Sequence, residues 1–107
     1  MDRIVILKQF IRENPGDFFS RHALALECIK LGDDAEAERL FKEILDNNPA
    51  SVGTYYHLGK LLERDNRADE ALGIYETGMK EAEKQRDDHS LRELKAALNQ
   101  LKDEMDI

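Results

Sequence analysis

Pro15 and Pro49 stand 34 residues apart, and the segments that follow them carry related residues at the same interval. With Phe18–Ser51 set against Val52–Gln85, Leu24 matches Leu58, Ala25 matches Gly59, Cys28 matches Leu62 and Gly32 matches Asn66. Further on, Ala37 matches Ala71, Leu40 matches Ile74 and Phe41 matches Tyr75. The positions that agree are those where packing restricts side-chain size. That is the mark of a repeated supersecondary unit, which buries its apolar face only by stacking on a neighbour.

Inside each unit the apolar spacing is helical. Leu24, Cys28 and Leu31 form one stripe, and Tyr55, Leu58 and Leu62 form the other. Gly32 and Asn66 separate two apolar stretches, and both residue types accept the left-handed conformation that ends a helix. Asp33 or Asp34 then caps the second helix of the first unit, with Glu36 placed to close a capping box. Pro15 and Pro49 end the helices before them, because the residue ahead of a proline is pushed out of the α region. Each unit reads as a helix–turn–helix.

These residues resemble the tetratricopeptide repeat family, whose pattern is an aromatic, Leu-Gly and Tyr on the first helix, then Ala, an aromatic and Pro on the second. The second unit supplies Tyr55, Leu58, Gly59, Ala71 and Tyr75, with Leu62 in place of the family's Tyr. The first supplies Leu24, Ala25, Ala37, Phe41 and Pro49, with Arg21 where the aromatic belongs and Cys28 in place of Tyr. The resemblance covers residues 18–85 and half a unit before them. It implies an all-α fold, a right-handed superhelical array of helix–turn–helix repeats with the first helix of each pair lining the concave side. Gly59, like Ala25, then marks a place where a neighbouring helix packs too closely for a larger side chain.

The ends of the array follow from the same pattern. Residues 2–14, with Ile4, Leu7, Phe10 and Ile11 on one face, read as the second helix of a repeat without its first. The second unit has Glu83 where proline would fall, so its last helix should run to Gln85 or Arg86. Ser90 with Glu93 reads as a capping box opening a helix over 90–105, with Leu91, Leu94, Leu98, Leu101 and Met105 on one face. That face either caps the array or, with its coiled-coil spacing, joins two chains. The expected organisation is one domain over 1–107: a helix at 2–14, repeats at 18–51 and 52–85, and a capping helix at 90–105.

Composition narrows the function classes. A net charge of −7 without a Lys/Arg cluster repels phosphate backbones, so nucleic acid is not an expected partner. Ile4-Val5-Ile6-Leu7, the most continuous apolar run, is too short for a signal-peptide core or a membrane span. The single cysteine, Cys28, cannot form an internal disulfide and points to a reducing, cytoplasmic setting. It sits in the packing stripe, where a thiol is inert. His22, His57 and His89 fall on different elements without metal-ligand spacing, so no metal or other cofactor is expected. No phosphate loop or nucleophile elbow occurs, and the chain is not expected to be an enzyme.

The informative apolar residues are those left over once the helices are stacked. Phe19, His22, Leu26 and Ile29 form a second stripe on the first helix of the first unit. Their matches one repeat on are Gly53, Tyr56, Lys60 and Glu63, with Arg64 beside them. By the resemblance this stripe faces the concave groove, apolar at one end and charged at the other, and suits a helix or extended peptide. The competing reading is that the N-terminal or C-terminal helix of the same chain covers it. Some family members grip a peptide's terminal carboxylate with Lys, Asn and Arg residues. The matching positions here are His22, Leu26, His57, Asp87 and Leu91, so that grip is not expected. The function expected is a non-enzymatic scaffold that binds a partner protein's peptide or helix through Phe19, His22, Leu26, Ile29, Tyr56, Lys60 and Arg64. The alternative is a homodimer formed through the N-terminal helix or the C-terminal heptad helix.

Overall fold

Six α-helices account for most of residues 2–107, the part of the chain that the computed structural model describes. They are α1 (Arg3–Glu13), α2 (Phe18–Lys30), α3 (Asp34–Asn47), α4 (Val52–Arg64), α5 (Ala68–Lys84) and α6 (Asp88–Met105). The two prolines act as expected. Asn14 and Asn48, each just ahead of a proline, leave the helical region at φ −133° and φ −145°.

Three of the turns share one construction. Gly32 takes a φ of +80°, its N–H donates to the Ile29 carbonyl at 3.0 Å, and the Asp33 N–H reaches the Cys28 carbonyl at 2.8 Å. This pair of hydrogen bonds satisfies carbonyls that the helix end leaves free. Asn66 repeats it at φ +59°, with the Arg67 N–H on the Leu62 carbonyl at 2.9 Å. Arg86 does the same at φ +56°, with the Asp87 N–H on the Ala82 carbonyl at 2.9 Å.

The caps correct two expectations. Asp33 accepts from the Glu36 N–H at 3.2 Å, but the capping box is not closed, because the Glu36 carboxylate turns to Arg39 Nη2 at 2.6 Å. An ion pair with a guanidinium outcompetes a neutral backbone donor. At α6 the cap is Asp87, and the helix begins at Asp88 instead of residue 90. Asp87 accepts from the Ser90 N–H at 3.0 Å and the Ser90 hydroxyl at 2.7 Å. These bonds hold its carboxyl below the usual range, and a charged acceptor suits a helix N-terminus.

The chain expected to form one domain groups into two compact units, Met1–Asn48 and Pro49–Ile107. In the first, α2 packs on α3 and α1 packs on α2. Its buried apolar residues are Leu24, Ala25, Cys28, Ala37, Leu40, Phe41 and Ile44. Arg21, in the aromatic's place, is buried too: its Nε donates to Glu43 at 2.8 Å, Nη1 donates to the Asp17 carbonyl, and the guanidinium lies over the Phe18 ring. Leu31, expected in the packing stripe, is 71% exposed. It is the C-cap of α2, so the helical path that would carry it inward has already ended. Phe10, expected on the packed face of α1, is exposed together with Val5 and Ile6. Within its unit α1 packs against α2, which covers a narrower stripe than the apolar run provides.

In the second unit α5 packs on both α4 and α6, and α4 also touches α6. The reason for Gly59 is direct. A Cβ there would lie 2.6 Å from Cζ and 2.8 Å from Cδ1 of Tyr75, and closer still to Cε1. Gly78 is its counterpart on α5, where a Cβ would stand 2.6 Å from the Tyr55 Cβ and 3.1 Å from Leu94 Cδ1. On α6, Leu94, Ala97, Leu98 and Leu101 are buried. Leu94, Leu98 and Leu101 of the heptad face are thereby used inside the unit, while Leu91 and Met105 on the same face are half-buried.

Replacing Gly59 with Leu should lower stability in urea unfolding by about 1–3 kcal/mol or more, since the Tyr75 ring occupies the space. Gly73, on the same helix as Tyr75 but with nothing within 4 Å of a Cβ, is the control. Gly73→Ala should raise stability by roughly 0.5–1 kcal/mol through helix propensity alone. Equal effects of the two substitutions would contradict the close approach.

Candidate functional site

The candidate site begins with α2. Asp17 caps it by accepting from the Ser20 N–H at 3.2 Å and the Ser20 hydroxyl at 3.0 Å. This fixes the rotation of the first turn, and Arg21, Leu24, Ala25 and Cys28 then point into the unit. The opposite side is left with Phe19, which is 84% exposed, and with half-buried His22, Leu26 and Ile29.

Phe19, His22 and Leu26 meet around a cavity of about 350 Å³, which Ala23, Glu27, Lys30 and Arg3 complete. Ile29 does not line it. The His22 ring is tilted against Phe41 at 5.5 Å between centroids, so this histidine joins the core to the cavity wall. The charged lip was not read from the sequence. Glu27 pairs with Arg3 at 3.0 Å and with Lys30 at 3.4 Å. The Glu27–Lys30 spacing is legible on a helix surface, whereas Arg3 is brought in by the packing of α1.

The other predicted positions lie on α4, in the second unit. Tyr56 is half-buried, and Lys60 Nζ sits 5.7 Å from its ring centroid. Lys60 also pairs with Glu63 at 3.7 Å. Glu63 in turn accepts a short hydrogen bond from the Tyr75 hydroxyl. Burial and the Glu63 carboxylate push the Tyr75 phenol well above its ordinary range. Lys60 is thus held by two neighbours, while Arg64 is exposed at the end of the helix. Beside them His57 meets Tyr56 edge-on at 5.8 Å. Burial pushes its imidazole down, with Glu93 partly opposing.

A family model for the tetratricopeptide repeat matches residues 29–98. A crystal structure of a tetratricopeptide repeat domain protein from Salinibacter ruber is 41% identical and has a TM-score of 0.77. The match covers 80% of this chain and 96% of that one. The chain belongs to the tetratricopeptide repeat family. A solution structure of a Salinibacter ruber tetratricopeptide repeat domain protein gives 41% identity, a TM-score of 0.79, and coverage of 82% and 89%. A protein from Bordetella parapertussis is 20% identical with a TM-score of 0.84 over 97% of this chain and 90% of that one, a likeness of fold alone. No curated protein matches.

Cys28 is buried, and desolvation followed by the Asp33 and Glu36 carboxylates pushes its thiol up, the reverse of what activates a nucleophile. Among the described residues no cluster of three His, Cys, Asp or Glu side chains could hold a metal ion. No described helix is long and apolar enough to cross a membrane.

Burial of His57 is expected to make stability depend on pH. Its depressed folded-state pKa means that the unfolded chain binds the proton more readily. The contribution is complete above the ordinary histidine range and is lost as pH falls through the folded value. Stability in urea should therefore drop from about pH 7.5 to about pH 5, and His57→Gln should make that drop shallower. An unchanged slope would show that the imidazole remains solvated.

Proposed function

We propose that this chain is a non-enzymatic interaction module that holds a peptide or helix of a partner protein against the exposed face of α2. Repeats of its family are protein–protein interaction modules. One observation carries the finer reading: Phe19 is 84% exposed beside His22 and Leu26 at a cavity of about 350 Å³. An aromatic left in water next to a concave apolar wall marks a binding surface. The Arg3, Glu27 and Lys30 lip supplies polar groups that orient a segment seated there. Tyr56, Lys60 and Arg64 occupy the matching positions on α4, where Lys60 is shared between the Tyr56 ring and the Glu63 carboxylate. The lone, buried Cys28 fits work in a reducing cytoplasm.

A second reading, self-association through α1, has its own support in Val5, Ile6 and Phe10, which are 49%, 49% and 43% exposed. Light scattering separates the two. Dimerisation through α1 would yield a dimer that Phe10→Glu dissolves and Leu26→Asp does not.

Peptide-display selection against the wild-type chain tests the main reading. Leu26→Asp should keep its helical circular dichroism and bind the selected peptides at least about tenfold more weakly. Cooperative unfolding of Leu26→Asp would show that the stripe is internal core. Undiminished binding by a folded variant would move the site elsewhere.

A further inference from the structure

A second concavity in the first unit lies among α1, α2 and α3, and it shares no lining residue with the Phe19 cavity. With about 3.6 residues per turn, Arg21 and Leu24 project from the side of α2 opposite Phe19, His22 and Leu26. Its volume is about 280 Å³, and Ile11, Leu24 and Leu40 give it an apolar floor. Four cations, Lys8, Arg12, Arg21 and Arg39, stand around that floor with two carboxylates, Glu36 and Glu43.

The charges are unequally committed. Arg21 pairs with Glu43 at 2.8 Å, and Arg39 pairs with Glu36 at 2.6 Å and with Glu43 at 3.1 Å. Both carboxylates are thereby taken up. Lys8 and Arg12, both exposed on α1, make no ion pair among the described residues. Lys8 acts on the Glu36 carboxylate only at longer range, and a concavity with two cations outside any ion pair stands out on a chain of net charge −7. Low-dielectric walls concentrate such a field.

We propose that this cleft is a second binding site, for an acidic protein segment that seats an aliphatic side chain against half-buried Ile11, above the buried Leu24 and Leu40, while its flanking carboxylates meet Lys8 and Arg12. Charge complementarity selects the carboxylates, because Arg21 and Arg39 are already bridged and cannot turn outward without abandoning Glu43 and Glu36. The apolar floor selects the aliphatic residue between them. The site does not depend on the α2 face opposite, so either can fail without the other.

The probe is an end-capped pentapeptide with a leucine between two pairs of glutamates, titrated at low salt and followed by heteronuclear NMR. Shifts are expected at Lys8, Arg12, Leu24 and Leu40, and binding should weaken as salt rises. Lys8→Glu combined with Arg12→Glu should weaken binding by at least about tenfold, and Lys8→Gln with Arg12→Gln by less. Lys80→Glu combined with Lys95→Glu, exposed residues of the second unit, should leave it unchanged. The proposal is overturned if the glutamine version of the peptide binds equally, or if the Lys80 and Lys95 variant loses as much. It is also overturned if inorganic phosphate gives the same shifts at the same concentration, or if millimolar peptide moves none of the four residues.

Discussion

The close approach of α4 and α5 at Gly59 is the contact on which the second unit depends. The Tyr75 ring occupies the space of the missing side chain. The inverse contact, Gly78 against Tyr55 and Leu94, sets α5 against α4 and α6. Each large ring is thus received by a glycine on the facing helix, and each ring carries a hydroxyl that must be satisfied on leaving water. Tyr55 donates to the Pro49 carbonyl at 2.7 Å and Tyr75 donates to Glu63. The helix penalty of two glycines, about 1 kcal/mol each, is offset by the burial they permit.

The first unit solves the same problem with different residues. Ala25 and Phe41, both fully buried, stand at the positions of Gly59 and Tyr75. Arg21 and Ile44 stand where the second unit has Tyr55 and Gly78. A larger aliphatic thus replaces the glycine, and an arginine stacked on Phe18 and paired with Glu43 replaces the aromatic. The exchange bears on the proposed second site, because Arg21 lines the α1–α2–α3 cleft and its Nε holds the Glu43 carboxylate at 2.8 Å. At this position the residue that packs the helix also adds charge to a surface concavity.

Both concavities are what packing leaves over on α2. One side of the helix meets α3 through Leu24, Ala25 and Cys28, and the α1 contact divides the remaining surface. Phe19 and Leu26 are left facing water at one opening, and Lys8 and Arg12 stand over an apolar floor at the other. The first is apolar with a charged lip and the second is cationic with an apolar floor, so the two suit segments of different chemistry.

Most helix limits, two of the four left-handed helix ends and the small residues at Ala25 and Gly59 were legible in the sequence, because each follows from local backbone chemistry or from the 34-residue period. The stripe Phe19, His22 and Leu26 was legible for the same reason: helical periodicity assigns residues to a face. Periodicity does not say which neighbour covers that face or how far along it the cover extends. Leu31 and Phe10 therefore seemed internal and are exposed, since one lies past the last helical turn and the other beyond the reach of α2. Arg86 entered the left-handed region without a residue type that signals it, drawn there by the Asp87 N–H bond to Ala82. Arg3 at the Glu27 lip and Lys8 and Arg12 beside Arg39 are set by the packing of α1 across other helices, and such distances exist only after the chain has folded.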